Sequence, residues 1–217
     1  MIPTFDTSWC MGDIWLTADW HLGHKNILKY TKRPWNNIDK HDNSLIKNAQ
    51  EVVKPNDIFI MNGDLTLEHS DSRRRVQKWV EKIPGTKILV LGNHDRMKPD
   101  AYIRTGFSLV ATSLVLNDGV LVAHDPAVAQ AWPSDRPVIC GHIHGLFKVM
   151  DNVVNVGVDV HNYYPIKLKS ALSLCSSTRN YKDRWLWLSK DRHRLETVTN
   201  VEGDSHEQGQ RQTDSKT

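Results

Sequence analysis

The sequence predicts an α/β protein. In the first half, short apolar runs alternate with amphipathic stretches; in the second half, closely spaced strand-like runs are separated by turn signals. Nearly every apolar run also ends in Gly, Asn, Asp or His, so chemically active side chains gather at strand ends.

Residues 13–19 (DIWLTAD) form a short apolar run that delivers a carboxylate at its end, as a buried strand does. Residues 39–53 (DKHDNSLIKNAQEVV) open on an acidic cap, place Leu45, Ile46, Ala49, Val52 and Val53 on one helical face, and stop at Pro55. A strand follows at 57–61. A helix at 72–82 turns Val76, Trp79, Val80 and Ile83 inward and closes at Pro84-Gly85, ahead of a strongly apolar strand at 87–91. Strand, helix, strand, helix, strand implies parallel βαβ units. Beyond residue 106 the runs 107–116, 120–124, 138–140, 147–150 and 153–156 read as strands and hairpins, with Asn117-Asp118-Gly119 a turn between two of them. For 164–175 (YPIKLKSALSLC) a helix and a strand remain equal alternatives, since Pro165 suits a first helical turn and Leu168 and Leu172 share a face. The expected organisation is one domain over residues 1–199 and a polar, mobile tail over 200–217, which lacks a large apolar anchor.

Composition narrows the class. Of 217 residues, 39% are hydrophobic and 24% charged, which excludes collagen-like, disordered and disulfide-dense chains. The N-terminus has no signal-peptide pattern and no apolar run approaches a membrane span, so a cytoplasmic location without a membrane partner is expected. Three cysteines without a C-x-x-C pair fit a reducing compartment. A net charge of +3 is too small to imply a nucleic-acid partner by itself.

The chemistry lies at five strand ends. Asp19-Trp20-His21 places a carboxylate and an imidazole on one side of an extended segment; Gly63-Asp64, Gly92-Asn93-His94-Asp95, His124-Asp125 and Gly141-His142-Ile143-His144 follow in turn. Any one of these is commonplace, because turns are rich in Gly, Asn and Asp and a lone His is usually a satisfied structural residue. Together they supply two bridge-capable Asp, one Asn and four His, before His94 is counted, and match the ligands of a dinuclear metal centre. The sequence has no Gly-x-Ser-x-Gly elbow and no P-loop, the marks of the acyl-serine hydrolases and P-loop NTPases.

In this order the five motifs resemble the calcineurin-like metallophosphoesterase superfamily over about residues 13–165. The stretches TADWHLGHKNILKYTKRPW and NVGVDVHNYYPI are also similar to its small bacterial and bacteriophage branch, mycobacteriophage members included. The resemblance implies a four-layer αββα sandwich of two mixed sheets flanked by helices, with two divalent metal ions at the strand ends. It assigns Asp19, His21 and His144 to the first metal, Asn93, His124 and His142 to the second, and Asp64 to the bridge between them. His94 would donate to or steer the leaving-group oxygen, and Asp95 would fix its tautomer. Mn is the metal the family implies, and Fe, Zn or Ni suit the same ligands. Two such ions about 3.5–4 Å apart clamp a phosphate and acidify a water between them, so no protein nucleophile is needed.

One departure is visible. Where many members carry an arginine three residues after the bridging aspartate, this chain has Leu67. His24, Lys25 and Arg33 are the candidates for anchoring the substrate in its place. Arg73-Arg74-Arg75 reads as a solvated helix face. Residues 179–194 interleave basic and aromatic residues, which suits a nucleic-acid strip or, better, a final strand carrying Trp185 and Trp187. The expected function is a phosphodiesterase of small or cyclic nucleotides, 2′,3′-cyclic monophosphates among them. The alternatives are a nuclease on RNA or DNA, a phosphomonoesterase with the same centre, and a binding module that has lost catalysis; the intact ligand set counts against the last.

Overall fold

The structure, a computed structural model, describes residues 2–178 and 185–186. In chain order its strands are β1 (Thr4–Phe5), β2 (Ile14–Thr17), β3 (Ile58–Asn62), β4 (Thr86–Val90), β5 (Leu109–Ala111), β6 (Ser113–Leu116), β7 (Leu121–Ala123), β8 (Val138–Cys140), β9 (Val149–Met150), β10 (Val153–Asn155), β11 (Ile166–Lys167) and β12 (Trp185–Leu186). The helices are α1 (Ile27–Tyr30), α2 (Ile38–Val52), α3 (Arg73–Val80), α4 (Pro99–Ile103) and α5 (Leu168–Thr178). Two mixed sheets result, ordered β11-β2-β3-β4-β5 and β1-β6-β7-β8-β10-β9-β12.

Side-chain alternation makes the layers. In β3, Ile58 and Ile60 join Leu16, Ile88, Val90, Leu114, Val122, Ile139 and Val154 in a core between the sheets. Phe59 and Met61 point the other way, into a second core with Leu45, Ile46 and Ala49 of α2 and Val76, Trp79 and Val80 of α3. Burying one such side chain stabilises the fold by about 1.5–3 kcal/mol. The outer face of the seven-stranded sheet (Leu121, Ala123, Val138, Cys140, Val153) packs against Ala129 and Trp132, in and just after a 3₁₀ helix, Pro126–Ala131. α5 closes one end, and its Ala171 and Cys175 reach the inter-sheet core.

The parallel βαβ half is as the periodicity predicts: β2, β3, β4 and β5 run parallel. Other elements differ for identifiable reasons. The run at 107–116 is two strands, because the chain changes sheets at Thr112. The segment 164–175 holds both of its alternatives in succession, β11 then α5. α2 is capped by Asn37, whose side chain accepts from the Asp39 and Lys40 amides, and not by an aspartate. The second half has hairpins at β6–β7 and β9–β10, while β7, β8 and β10 are parallel to one another. Trp185 and Leu186 do form a last strand, paired with Met150 and Val149. The rest of the basic and aromatic stretch, and the tail 200–217, lie outside the described residues. Among the described residues no helix is long and apolar enough to cross a membrane.

This topology brings the C-terminal ends of β2, β3, β4, β7, β8 and β10 to one edge. The two sheets meet there: Ala18 bridges Gly157, and the Val158 amide donates to the Ala18 carbonyl at 3.1 Å. The candidate residues sit in the loops that leave this edge.

Candidate metal centre

The first two loops run side by side as an extension of the sheet. The amides of Asp19, His21 and Leu22 donate to the carbonyls of Gly63, Asp64 and Leu65 at 3.0, 2.9 and 2.8 Å. Asp19, His21, Asp64, His142 and His144 all have positive φ, between 48° and 74°. That conformation costs a non-glycine residue about 1–3 kcal/mol and persists only where the surroundings over-determine it. Its concentration at five candidate ligands sets this edge apart from ordinary loops. Gly63, at φ 86°, is needed for a second reason: a Cβ there would fall inside the His124 imidazole.

Two tight groups of ligand atoms result. Asp19, His21 and His144 form one, and Asp19, Asp64 and His124 the other, with the ligand atoms of each group within 4.8 Å of one another. Asp64 Oδ2 lies 3.5 Å from His21 Nε2 and 3.3 Å from His124 Nε2, between the two groups. Asp19 belongs to both and also accepts the His142 amide on Oδ1 and Oδ2 at 2.9 and 3.1 Å. Asn93 and His142 stand at the exposed lip, hydrogen-bonded to each other at 2.9 Å (Asn93 Oδ1, His142 Nδ1), with the His142 ring centroid 5.2 Å from that of His124.

The buried polar atoms at this edge fit cations. Both nitrogens of His21 and Nε2 of His124 are buried with no hydrogen-bond partner, beside two buried carboxylates. Each such orphan costs about 1–3 kcal/mol unless something satisfies it, and a divalent cation is what imidazole lone pairs and carboxylates jointly satisfy. The ring nitrogens remote from the centre are held: His124 Nδ1 donates to the Asn62 carbonyl and His144 Nδ1 to Asp159 Oδ2, both at 2.8 Å, which leaves each Nε2 free to ligate.

Electrostatics agree with this division. Burial drives His21 down to about 2, so it presents a neutral imidazole. Burial opposes protonation of His124 too, but the Asp64 carboxylate 3.3 Å from its Nε2 and the charge of Asp19 push it up to about 9. Asp64 is driven up by burial and brought down to about 2 by His124.

Other residues have roles that differ from those expected. Asp95 does not serve the His94 ring: its Oδ2 accepts the amides of Asp64 and Gly92 at 2.8 Å each, and its Oδ1 accepts the Leu65 amide at 3.1 Å and the Tyr102 hydroxyl at 3.2 Å. It clamps the Asp64 loop instead, because a carboxylate ringed by amide donors has no lone pair left for an imidazole. His94 sits over the first group, its ring centroid 5.4 Å from that of His21, and its amide donates to Asp64 Oδ1 at 2.9 Å. His24 lies at the same mouth, 6.1 Å from His21 between ring centroids, and Lys25 is exposed. Arg33 is not at the mouth at all. It is buried, paired through Nε and Nη2 with both Asp159 oxygens at 2.9 Å, and donates to the carbonyls of Trp20 and Asp19 at 3.0 and 2.7 Å.

Behind Arg33 stand His41 and Asp42. His41 Nε2 accepts from Arg33 at 2.8 Å, His41 Nδ1 donates to Asp42 at 2.8 Å, and the Gly23 amide donates to Asp42 at 2.9 Å. This buried chain ties the Asp19 loop to His144. Asn62 does similar work between the sheets, donating to the Ala123 and Ile139 carbonyls at 3.1 and 3.2 Å. Motif reading gave no role to Asn62, in the Asn62-Gly63-Asp64 turn, and passed over Asp159, His41 and Asp42. The signal for the last two was present: they lie one helical turn before Leu45 and Ile46, so two polar residues occupy the buried stripe of α2.

A sequence profile described as calcineurin-like phosphoesterase matches residues 12–211, most of the chain. An uncharacterised protein of Methanocaldococcus jannaschii is 28% identical over 173 residues, 76% of this chain and 92% of that protein. The Gene 66 protein of Mycobacterium phage L5 is 26% identical over 182 residues, 69% of this chain and 87% of its own length. Among solved structures, a protein of unknown function from Aquifex aeolicus shares the fold with a TM-score of 0.58 at 20% identity, covering 75% of this chain and 98% of that one.

Proposed function

From the premise that the chain belongs to the calcineurin-like phosphoesterase family and is a metal-dependent phosphoesterase, we propose that it is a dinuclear phosphodiesterase of small or cyclic nucleotides, 2′,3′-cyclic monophosphates among them. The observation that carries this reading is the pair of ligand groups sharing Asp19, with Asp64 Oδ2 between His21 and His124. Two divalent cations held there, Mn²⁺ in the first instance, would supply Lewis acidity that lowers the pKa of attacking water and offsets charge on the phosphoryl oxygens.

The chain's own residues do the rest. Asp19 and Asp64 would hold the cations and offset their charge and, being locked in left-handed turns, present their oxygens without reorganisation. His94, above the first group, is placed to hand a proton from its ring to the departing oxygen. Preference for a diester over a monoester rests on charge. A monoester dianion brings one more negative charge, yet the position of the family arginine is Leu67, Arg33 is consumed by Asp159, and among the described residues the cleft beside His124 has no Lys or Arg in its lining. A cytoplasmic site of action belongs to the same reading, since none of the three cysteines is in a disulfide.

The test is hydrolysis of bis-p-nitrophenyl phosphate beside p-nitrophenyl phosphate by metal-stripped protein with Mn²⁺ restored. Metal-dependent cleavage that favours the diester is expected. Preference for the monoester, or cleavage independent of metal, would contradict the reading.

A further inference from the structure

Beside the second ligand group lies a cleft of about 340 Å³ lined by Leu91, Asn93, Thr112, Ser113, Ala123, His124, Asp125, Val128 and His142. It owes its existence to the sheet change at Thr112 and to the 3₁₀ helix that begins after Asp125. Its size is at the lower end of small-molecule sites, roughly 300–1,000 Å³.

The chemistry of the wall selects what enters. Leu91, Ala123 and Val128 are apolar, and Val128 is 37% exposed on the cleft's rim. The hydroxyls of Thr112 and Ser113 add hydrogen-bonding capacity without charge. Among the described lining residues Asp125 supplies the one carboxylate; its Oδ1 accepts the Ala127 amide at 2.8 Å and caps the 3₁₀ helix, while its Oδ2 has no partner among the described residues. A group carrying another phosphate would meet that carboxylate, and the described residues of the lining include no Lys or Arg to offset it. A flat, uncharged group with N–H and O–H donors would be complemented by the apolar rim, the hydroxyls and Asp125.

We infer that this cleft is the subsite for the uncharged nucleoside of a phosphodiester whose phosphorus sits over the Asp19, Asp64 and His124 group. The inference rests on the phosphodiesterase reading for its reaction and on the cleft alone for its ligand. The nucleoside lies against Val128, donates to Asp125 and leaves the opposite ester oxygen facing His94.

Two measurements test it. The first is direct binding of thymidine, observed by saturation-transfer NMR without turnover, to the wild-type chain and to Val128→Trp, with thermal melting to establish that the variant is folded. The second is the ratio of kcat/KM for thymidine 5′-(p-nitrophenyl phosphate) to that for methyl p-nitrophenyl phosphate, two diesters with the same leaving group. Thymidine should bind the wild type and not Val128→Trp, and the ratio should fall about ten- to a hundredfold in the variant. Asp125→Asn, which keeps the cap, should strengthen binding of thymidine 3′-phosphate relative to thymidine. Absence of thymidine binding to the wild type, or an unchanged ratio in Val128→Trp, would overturn the subsite. The two readings separate cleanly: thymidine binding without hydrolysis of either ester leaves the cleft standing and removes the phosphodiesterase, and hydrolysis of both with no thymidine binding does the reverse.

Discussion

Replacing Arg33 with methionine separates two accounts of that residue by their size and kind. The residue is 4% exposed, and its guanidinium makes a two-pronged pair with Asp159, two bonds to the carbonyls of Asp19 and Trp20, and one to His41. Methionine fills much of the volume but leaves the Asp159 carboxylate buried with only His144 as a partner. Breaking one side of a buried ion pair costs about 3–5 kcal/mol. For a domain of this size each kcal/mol lowers the melting midpoint by about 2–4 °C, so a fall of roughly 6–20 °C is expected. Because Asp159 sets the tautomer of His144 and Arg33 holds the Asp19 turn, Mn²⁺ affinity should fall by about 10–100-fold. Arg33→Lys keeps the charge without the planar fork and should lie between the two. Melting followed by circular dichroism and calorimetric Mn²⁺ titration read both quantities. A variant that melts within about 2 °C of wild type, binds Mn²⁺ equally and only raises KM would refute this reasoning and make Arg33 a substrate anchor.

Three other outcomes follow from single contacts. Gly63→Ala should lower the midpoint by more than about 4 °C and impair metal uptake, because φ is 86° and the new methyl would strike His124; a wild-type melt and metal content would contradict this. Burial alone would raise the Asp57 carboxyl, but bonds from the Lys54 and Asp13 amides and the Trp15 indole hold it below the ordinary carboxylate value. Its contribution is therefore complete above the unfolded pKa of about 3.9 and is lost as pH falls through the lower folded value. Asp57→Asn should destabilise by about 1.5–3 kcal/mol at pH 7, with the difference from wild type shrinking below pH 4; a gap constant down to pH 2.5 would count against it. His94→Ala should slow diesters with alkoxide leaving groups by about 10²–10⁴-fold and nitrophenolate esters far less, and equal losses would remove its proposed proton-donor role.

Much of this was legible in the sequence because the fold and the candidate site use the same signal. A parallel strand ends in a turn, so apolar runs closing on Asp19, Asp64, Asn93, His124 and His142 mark strand and site together. What stayed hidden depends on which residues meet across the chain. Asp159 is far from Arg33 in sequence and becomes its partner only when β10 docks beside β2. Asp95 lies beside His94 in the chain, yet Gly92, Asp64 and Leu65 present amides to it and turn it away. The division of residues 107–116 between two sheets was invisible for a similar reason: the hydrophobic pattern continues across Thr112, and only the partner strands reveal the change.

Metal content tests the central claim most directly. Metal-stripped wild-type protein reloaded with Mn²⁺ and freed of excess should hold two ions per chain, and Asp64→Ala, which removes the carboxylate between His21 and His124, should hold at most one and lose activity. One ion per wild-type chain, or two ions with full activity in Asp64→Ala, would contradict a dinuclear centre joined by Asp64.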